Sequence, residues 1–142
     1  MKTNLRIYAG LAALASAALV LAACKSTVAP ETKEIDSHRT NDLVISLSSE
    51  KGELSQGQNR FVIAFRSAAG NQPADVGTVV VSASMAMPGM APMTAPIELE
   101  SAGETGKYIA KGAFAMSGSW RFEARWDGPA GKGSTSFNSN VR

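Results

Sequence analysis

From Asp42 onward, apolar and polar residues alternate with period two, and clusters of Gly, Pro and Asn interrupt the alternation at short intervals. Successive strand side chains point to opposite faces, so this pattern predicts half-buried β-strands, and no stretch of ten residues keeps the period of an amphipathic helix. Leu43, Ile45 and Leu47 alternate in the first predicted strand, Phe61, Ile63 and Phe65 in the second, and Val79, Val81 and Ala83 in the third. Ile97 and Leu99 mark a fourth, with Glu98 and Glu100 turned to water; Tyr108 and Ile109 lie in a fifth, from about Lys107 to Ala113. In the sixth, Trp120, Phe122, Ala124 and Trp126 share one face and Arg121, Glu123 and Arg125 the other. The glycine-rich turn Gly128–Gly133 leads to the last, where Thr135, Phe137, Ser139 and Val141 alternate. Seven short strands in about a hundred residues predict an all-β, immunoglobulin-like β-sandwich of antiparallel strands. The even spacing of Trp120 and Trp126 assigns them to its core, and Gly106 and Gly118 read as turn residues that need a permissive backbone.

The N-terminus breaks the pattern. Lys2 and Arg6 precede an uncharged run from Ile7 to Leu21 that closes on Leu21-Ala22-Ala23-Cys24, which resembles a bacterial lipoprotein signal with its lipobox. The run lies near the short end of the ~17–25 residues needed to span a bilayer, which disfavours an uncleaved anchor. The expected organisation is a signal peptide over 1–23, a lipidated Cys24 with a polar tether over 24–41, and a β-sandwich domain over 42–142. With its sulfur carrying lipid, Cys24 is a membrane anchor rather than a ligand or nucleophile, and no disulfide can form from the chain's single cysteine. A flexible tether of this length spans a typical ~20–25 Å. His38, the single histidine, falls in this tether and is expected to be solvated.

Processing also changes the charge. Removing Lys2 and Arg6 leaves 12 basic residues against 12 acidic ones, and a neutral domain without a basic run is not expected to bind nucleic acid. No histidine lies inside the predicted domain and no glycine-rich phosphate loop opens a helix, so an enzyme is not expected.

The concentrated chemistry lies in Met85-Ala86-Met87-Pro88-Gly89-Met90-Ala91-Pro92-Met93, four thioethers in nine residues, with Met116 the one other methionine after the initiator. Thioether sulfur is a soft, uncharged ligand that suits Cu(I) and poorly suits Zn, Mg or Ca, so Met85, Met87, Met90, Met93 and Met116 are the candidate ligands for Cu(I) or Ag(I). Met90 and Met93, beyond the strand pattern, are the first choices among the clustered four. Such a site needs no ligand deprotonated and no metal for folding. The competing reading is that the methionines fill apolar gaps or form an adaptable docking surface, with Met85 and Met87 at strand spacing against the core. Pro88, Pro92 and Pro96 restrict the backbone and Gly89 permits a tight turn. If consecutive strands run in opposite directions, the loops Ser49–Asn59, Met85–Thr94 and Phe114–Gly118 share one end of the sandwich, which puts Met116 beside the cluster. By the same count of seven strands, the tether enters at the opposite end and the methionines face away from the membrane.

The run Met85–Met93, followed by Gly106-Lys107-Tyr108 and by Phe114-Ala115-Met116-Ser117-Gly118-Ser119-Trp120, resembles the YtkA-like family, with related domains in FixH-like proteins. The resemblance covers roughly Asp42 to Trp126. It implies a small extracytoplasmic β-sandwich, often encoded with copper efflux or cytochrome oxidase assembly components. Family loops often carry a histidine among the methionines; here Ala91-Pro92 occupies that stretch, which favours Cu(I) or Ag(I) over Cu(II). The combined expectation is a monomeric lipoprotein of the cell envelope facing the periplasm, on the outer rather than the inner membrane of a diderm cell. There it would buffer copper or pass it to an efflux or oxidase-assembly partner; a non-metal interaction module and a structural accessory lipoprotein are the alternatives.

Overall fold

The computed structural model describes residues 31–142, so the expected signal peptide, Cys24 and the chain up to Pro30 lie outside the described residues. Eight strands follow in order: β1 (Lys33–Thr40), β2 (Leu43–Ser49), β3 (Gly57–Ser67), β4 (Thr78–Met85), β5 (Met93–Ser101), β6 (Lys107–Phe114), β7 (Gly118–Gly128) and β8 (Gly131–Val141). They hydrogen-bond in the order β1-β2-β3-β6-β5-β4-β7-β8, each named strand antiparallel to its neighbours. The all-β sandwich is as expected, with eight strands instead of seven.

The sheet folds over on itself at β5. Residues Met93–Pro96 pair with β4, whereas Ile97–Ser101 pair with β6, so a single strand passes from one layer to the other. Pro96, which has no N–H to give to a ladder, stands where the strand changes partner. The two layers close over the predicted apolar faces: Leu43, Ile45 and Leu47 of β2, Phe61, Ile63 and Phe65 of β3, and Trp120, Phe122, Ala124 and Trp126 of β7 are all buried. Aromatic rings link the layers, with Phe61 edge-on to Phe122 at 6.1 Å and Phe65 edge-on to Trp126 at 5.7 Å. At the open seam, His38 of β1 stacks on Phe137 of β8 at 6.3 Å, bringing the two edge strands side by side.

β1 corrects the reading of the tether. Residues 33–40, expected to be solvated linker, pair along β2 from Lys33 opposite Ser49 to Thr40 opposite Leu43, with an irregularity between Glu34 and Asp36. Its only large apolar side chain is Ile35, which is partly buried against the core, so the strand has no apolar alternation to reveal it. The extra strand also reverses the expected orientation. β1 starts at the end where β2 finishes, so the chain enters the sandwich at the end that carries the β2–β3, β4–β5 and β6–β7 loops, not at the opposite one.

Candidate metal site at the methionine end

Strand register builds the first half of the site. Met85 closes β4 and Met93 opens β5, and the two are direct cross-strand partners. Directly opposed residues have Cβ atoms ~4.5–5.5 Å apart and share a face. Alternation places that face inward, because Ala83 and Ala95, two residues further in on each strand, are buried, and both methionines pack against the core as partly buried groups. Between them the chain turns sharply. The Met90 N–H donates to the Met87 carbonyl at 3.1 Å, with Pro88 and Gly89 at the central positions and Gly89 at φ 74°. This is a type II turn, in which proline sets the first central residue and glycine supplies the positive φ of the second. Met87 is left partly buried, and Met90, at the tip, is 65% exposed.

The second half comes from the β6–β7 loop. Trp120, fully buried, donates its Nε1–H to the Met116 carbonyl at 3.0 Å, and Gln56 Nε2 donates to the Ala115 carbonyl at 2.8 Å. A short loop pinned from two directions holds Met116 at the surface with 39% of it exposed. Gly118 then brings the halves together. A Cβ there would lie 2.9 Å from Met85 Sδ, so the missing side chain leaves the space that the Met85 thioether occupies. The residue also sits at φ 142°, where L side chains are strained. Met85 is thereby in contact with the strand that begins two residues after Met116.

All five candidate methionines therefore lie at one end, as parity of the loops predicts. The order of preference differs from the sequence reading. Met93 is inside β5 and faces the core with Met85, while Met87 and Met90 bracket the turn above them. The sequence reading placed Gly118 in a turn and Trp120 in the core without their part in the site, and it did not single out Gln56: Gly118 admits the Met85 sulfur, and Trp120 and Gln56 fix the Met116 loop. The run Met116-Ser117-Gly118-Ser119-Trp120 held the signal for the first two, as a glycine and an aromatic at set offsets from a methionine.

The surroundings are nearly free of charge. Neither 86–92 nor 115–117 contains an ionisable residue, and the charges of the third loop at this end are partly paired, with Arg142 on Glu53 at 3.0 Å. A shallow groove of about 640 Å³ runs beside the site, lined by Ser84, Met85, Pro92, Ser119, Arg121 and Asn138. Arg121 at its edge donates to Ser136 Oγ at 2.9 Å. His38 is five residues along β1 from the methionine end, opposite Ile45, and is not brought to the thioethers. Among the described residues no group of three or more His, Cys, Asp or Glu side chains is arranged to hold a metal ion. The donors gathered at this end are thioethers.

A small antiparallel β-sandwich with methionines gathered from one hairpin and one loop that crosses between the layers is the class of domain that these features define. The chain belongs to the YtkA-like family, whose model matches residues 37–125, from within β1 to within β7 and including every candidate methionine. No curated protein matches the chain. Among solved structures, the fold is similar to a DUF4426 family protein from Pseudomonas aeruginosa PAO1, at 18% identity and a TM-score of 0.52, covering 76% of this chain and 94% of that one. A copper-bound variant of FetP from uropathogenic Escherichia coli strain F11 aligns at 7% identity and a TM-score of 0.49, covering 78% of this chain and 97% of that one. FetP from the same strain, as isolated after expression in the periplasm, gives 10% identity and a TM-score of 0.47 over 78% and 95%. At 18% identity the first likeness is one of fold, and the other two are more distant.

Proposed function

We propose that the protein is an extracytoplasmic lipoprotein, anchored through Cys24, that binds a single Cu(I) or Ag(I) ion at its methionine end and passes it to an efflux or oxidase-assembly partner. The observation that carries this reading is the gathering of the Met85–Met93 pair, the turn bearing Met87 and Met90, and the loop of Met116 at one end of the sandwich, with the Met85 sulfur against Gly118 two residues beyond Met116. Neutral sulfur donors gain no Coulomb energy from a cation, so affinity depends on having two or three of them already in place. Cross-strand pairing and the pinned β6–β7 loop supply that pre-organisation. The two methionine loops, 86–92 and 115–117, give harder cations no carboxylate to hold. Transfer rather than storage follows from the small number of donors and from the exposure of Met90 and Met116.

The exposure of Met90 also favours a second reading, an apolar docking surface that uses methionine for its flexibility. Leucine separates the two, because it keeps the bulk and removes the sulfur. In an anaerobic titration of the chain from Lys25 with Cu(I) against a chromophoric competitor, the wild-type is expected to compete. A variant with Met85, Met87, Met90, Met93 and Met116 all changed to Leu should not. Single Met85→Leu or Met93→Leu changes should weaken binding by at least about tenfold, ~1.4 kcal/mol. Because no donor carries a proton to be displaced, affinity should stay level between pH 6 and 8, on the general rule that proton-binding ligands make metal affinity pH-dependent. A wild-type chain that fails to compete would sink the copper reading.

A further inference from the structure

The direction in which the chain enters the sandwich decides which way the methionines point. Lys33 lies opposite Ser49, at the end where β2 finishes. Side-chain contacts give the same answer independently of strand direction. A Cβ at Gly52 in the β2–β3 loop would lie 3.1 Å from Lys33 Cβ, and Gln56 of that loop donates to Ala115, the neighbour of Met116. The entry point, the β2–β3 loop and the Met116 loop are thus one contiguous surface.

Eight residues separate Cys24 from Lys33. That length reaches about 30 Å when fully extended. The opposite end of the sandwich is a further strand length away, about 25–35 Å for strands of this size. A lipid on Cys24 would therefore keep the methionine end within that reach of the bilayer, with the β3–β4 and β7–β8 turns at the far end of the domain.

We propose that the methionine end is the membrane-facing end of the protein, and that its exchange partner is an integral membrane protein presenting a thioether or thiolate acceptor at its extracytoplasmic face. The partner assignment rests on the lipoprotein and Cu(I) readings given above; the orientation rests on the lipid anchor alone. The chemistry of this end favours a protein over the bilayer itself. Loops 86–92 and 115–117 contain no Lys, Arg, Trp or Tyr, the residues that hold an interfacial segment among headgroups; the basic residues at this end lie on the adjoining surface, where Arg142 is paired with Glu53 and Lys33 and Lys51 each have a glutamate as chain neighbour. They offer instead the exposed thioethers of Met90 and Met116. Transfer is a ligand exchange. An acceptor sulfur bonds to the ion, a methionine sulfur leaves it, and neither the oxidation state nor any proton changes.

The test uses the lipidated protein, with the anchor verified by mass, reconstituted in phosphatidylcholine vesicles. A fluorophore is placed on Ala91→Cys in the β4–β5 loop or on Ala130→Cys in the β7–β8 turn, and energy transfer to a headgroup-labelled lipid is measured. Transfer from position 91 should be severalfold more efficient than from position 130. An insertion of about twenty Gly/Ser residues after Thr32, ~25 Å of added flexible chain, should erase the difference. Equal or reversed efficiencies without the insertion would overturn the orientation. Quenching of the position 91 label by spin labels in the acyl chains would make the bilayer the occupant and overturn the partner assignment. In the same vesicles, Cu(I) should pass severalfold faster to a lipid-anchored methionine peptide than to that peptide in solution; no preference would also overturn the assignment. A protein that orients as described but binds no Cu(I) would remove the copper reading and leave the orientation standing.

Discussion

Trp120 shows how a single side chain joins core to site. Its ring is fully buried and edge-on to Phe114 at 5.1 Å, while its N–H holds the carbonyl of Met116. Trp120→Phe keeps an aromatic against Phe114, removes the donor and opens a small cavity. A lost hydrogen bond and a modest void together predict a destabilisation of about 1–3 kcal/mol, read as a lower urea midpoint with an unchanged slope. If Met116 is a ligand, the same variant weakens Cu(I) binding without removing any sulfur, and a thermodynamic cycle with Met116→Leu should abolish that extra loss. Even spacing along β7 was enough to place Trp120 in the core. Its bond to the Met116 loop was not legible, because alternation says which face a side chain takes and nothing about which backbone group lies across from it. The same limit applies to the methionines. Their clustering was plain in the sequence, but the pairing of Met85 with Met93 is a matter of hairpin register.

Among the elements, β6 is tied to the β3–β4 connection by one bond. Tyr108 donates its hydroxyl proton to the Gly77 carbonyl at 2.7 Å, and its ring lies edge-on to Phe65 at 5.9 Å. Burial, and secondarily the Asp75 carboxylate, raise the Tyr108 pKa above the usual phenol value. The folded state thus holds this proton more tightly than the unfolded chain does. The stabilisation is complete below the unfolded pKa of about 10 and is lost as pH rises through the higher folded value. Wild-type stability, followed by urea midpoints, should therefore fall above about pH 10, and Tyr108→Phe should flatten that fall. At neutral pH the variant should cost about 1 kcal/mol for the lost bond. The strand of Tyr108 was legible from alternation, as were the six others with a clear apolar face. β1 was not, because Lys33, Glu34, Asp36 and Arg39 are the kind of charged residues that protect a sheet edge from pairing with other chains. A well-guarded edge strand and a polar linker look alike in sequence. The cost of that ambiguity was the orientation of the molecule, since adding one strand exchanges the end at which the chain enters.

At the scale of the whole molecule, the core and the methionine end are separable in energy. A run of edge-on and stacked rings through Phe61, Phe122, Phe114 and Phe137 fills the space between layers, and among the described residues every buried side-chain N or O atom has a hydrogen-bond partner. Met85 and Met93 sit on the margin of this core rather than within it. The metal-free protein should accordingly unfold in one cooperative thermal transition. Any ion that binds only the folded state then adds stability by mass action, about 2.7 kcal/mol when the free ion is a hundredfold above its dissociation constant. For a domain of this size, that corresponds to a rise in Tm of about 10 °C. The variant with all five methionines changed to Leu should melt close to the metal-free wild-type, since leucine preserves the packing, and Cu(I) should leave its Tm where it is. Zn(II) should move neither protein. A metal-free chain without a cooperative transition would make the ion part of the fold, and an equal Cu(I) shift in the leucine variant would place the ion away from the methionines. Scanning calorimetry of these two proteins with and without Cu(I) under anaerobic conditions therefore separates a cargo site built on a finished fold from a structural one.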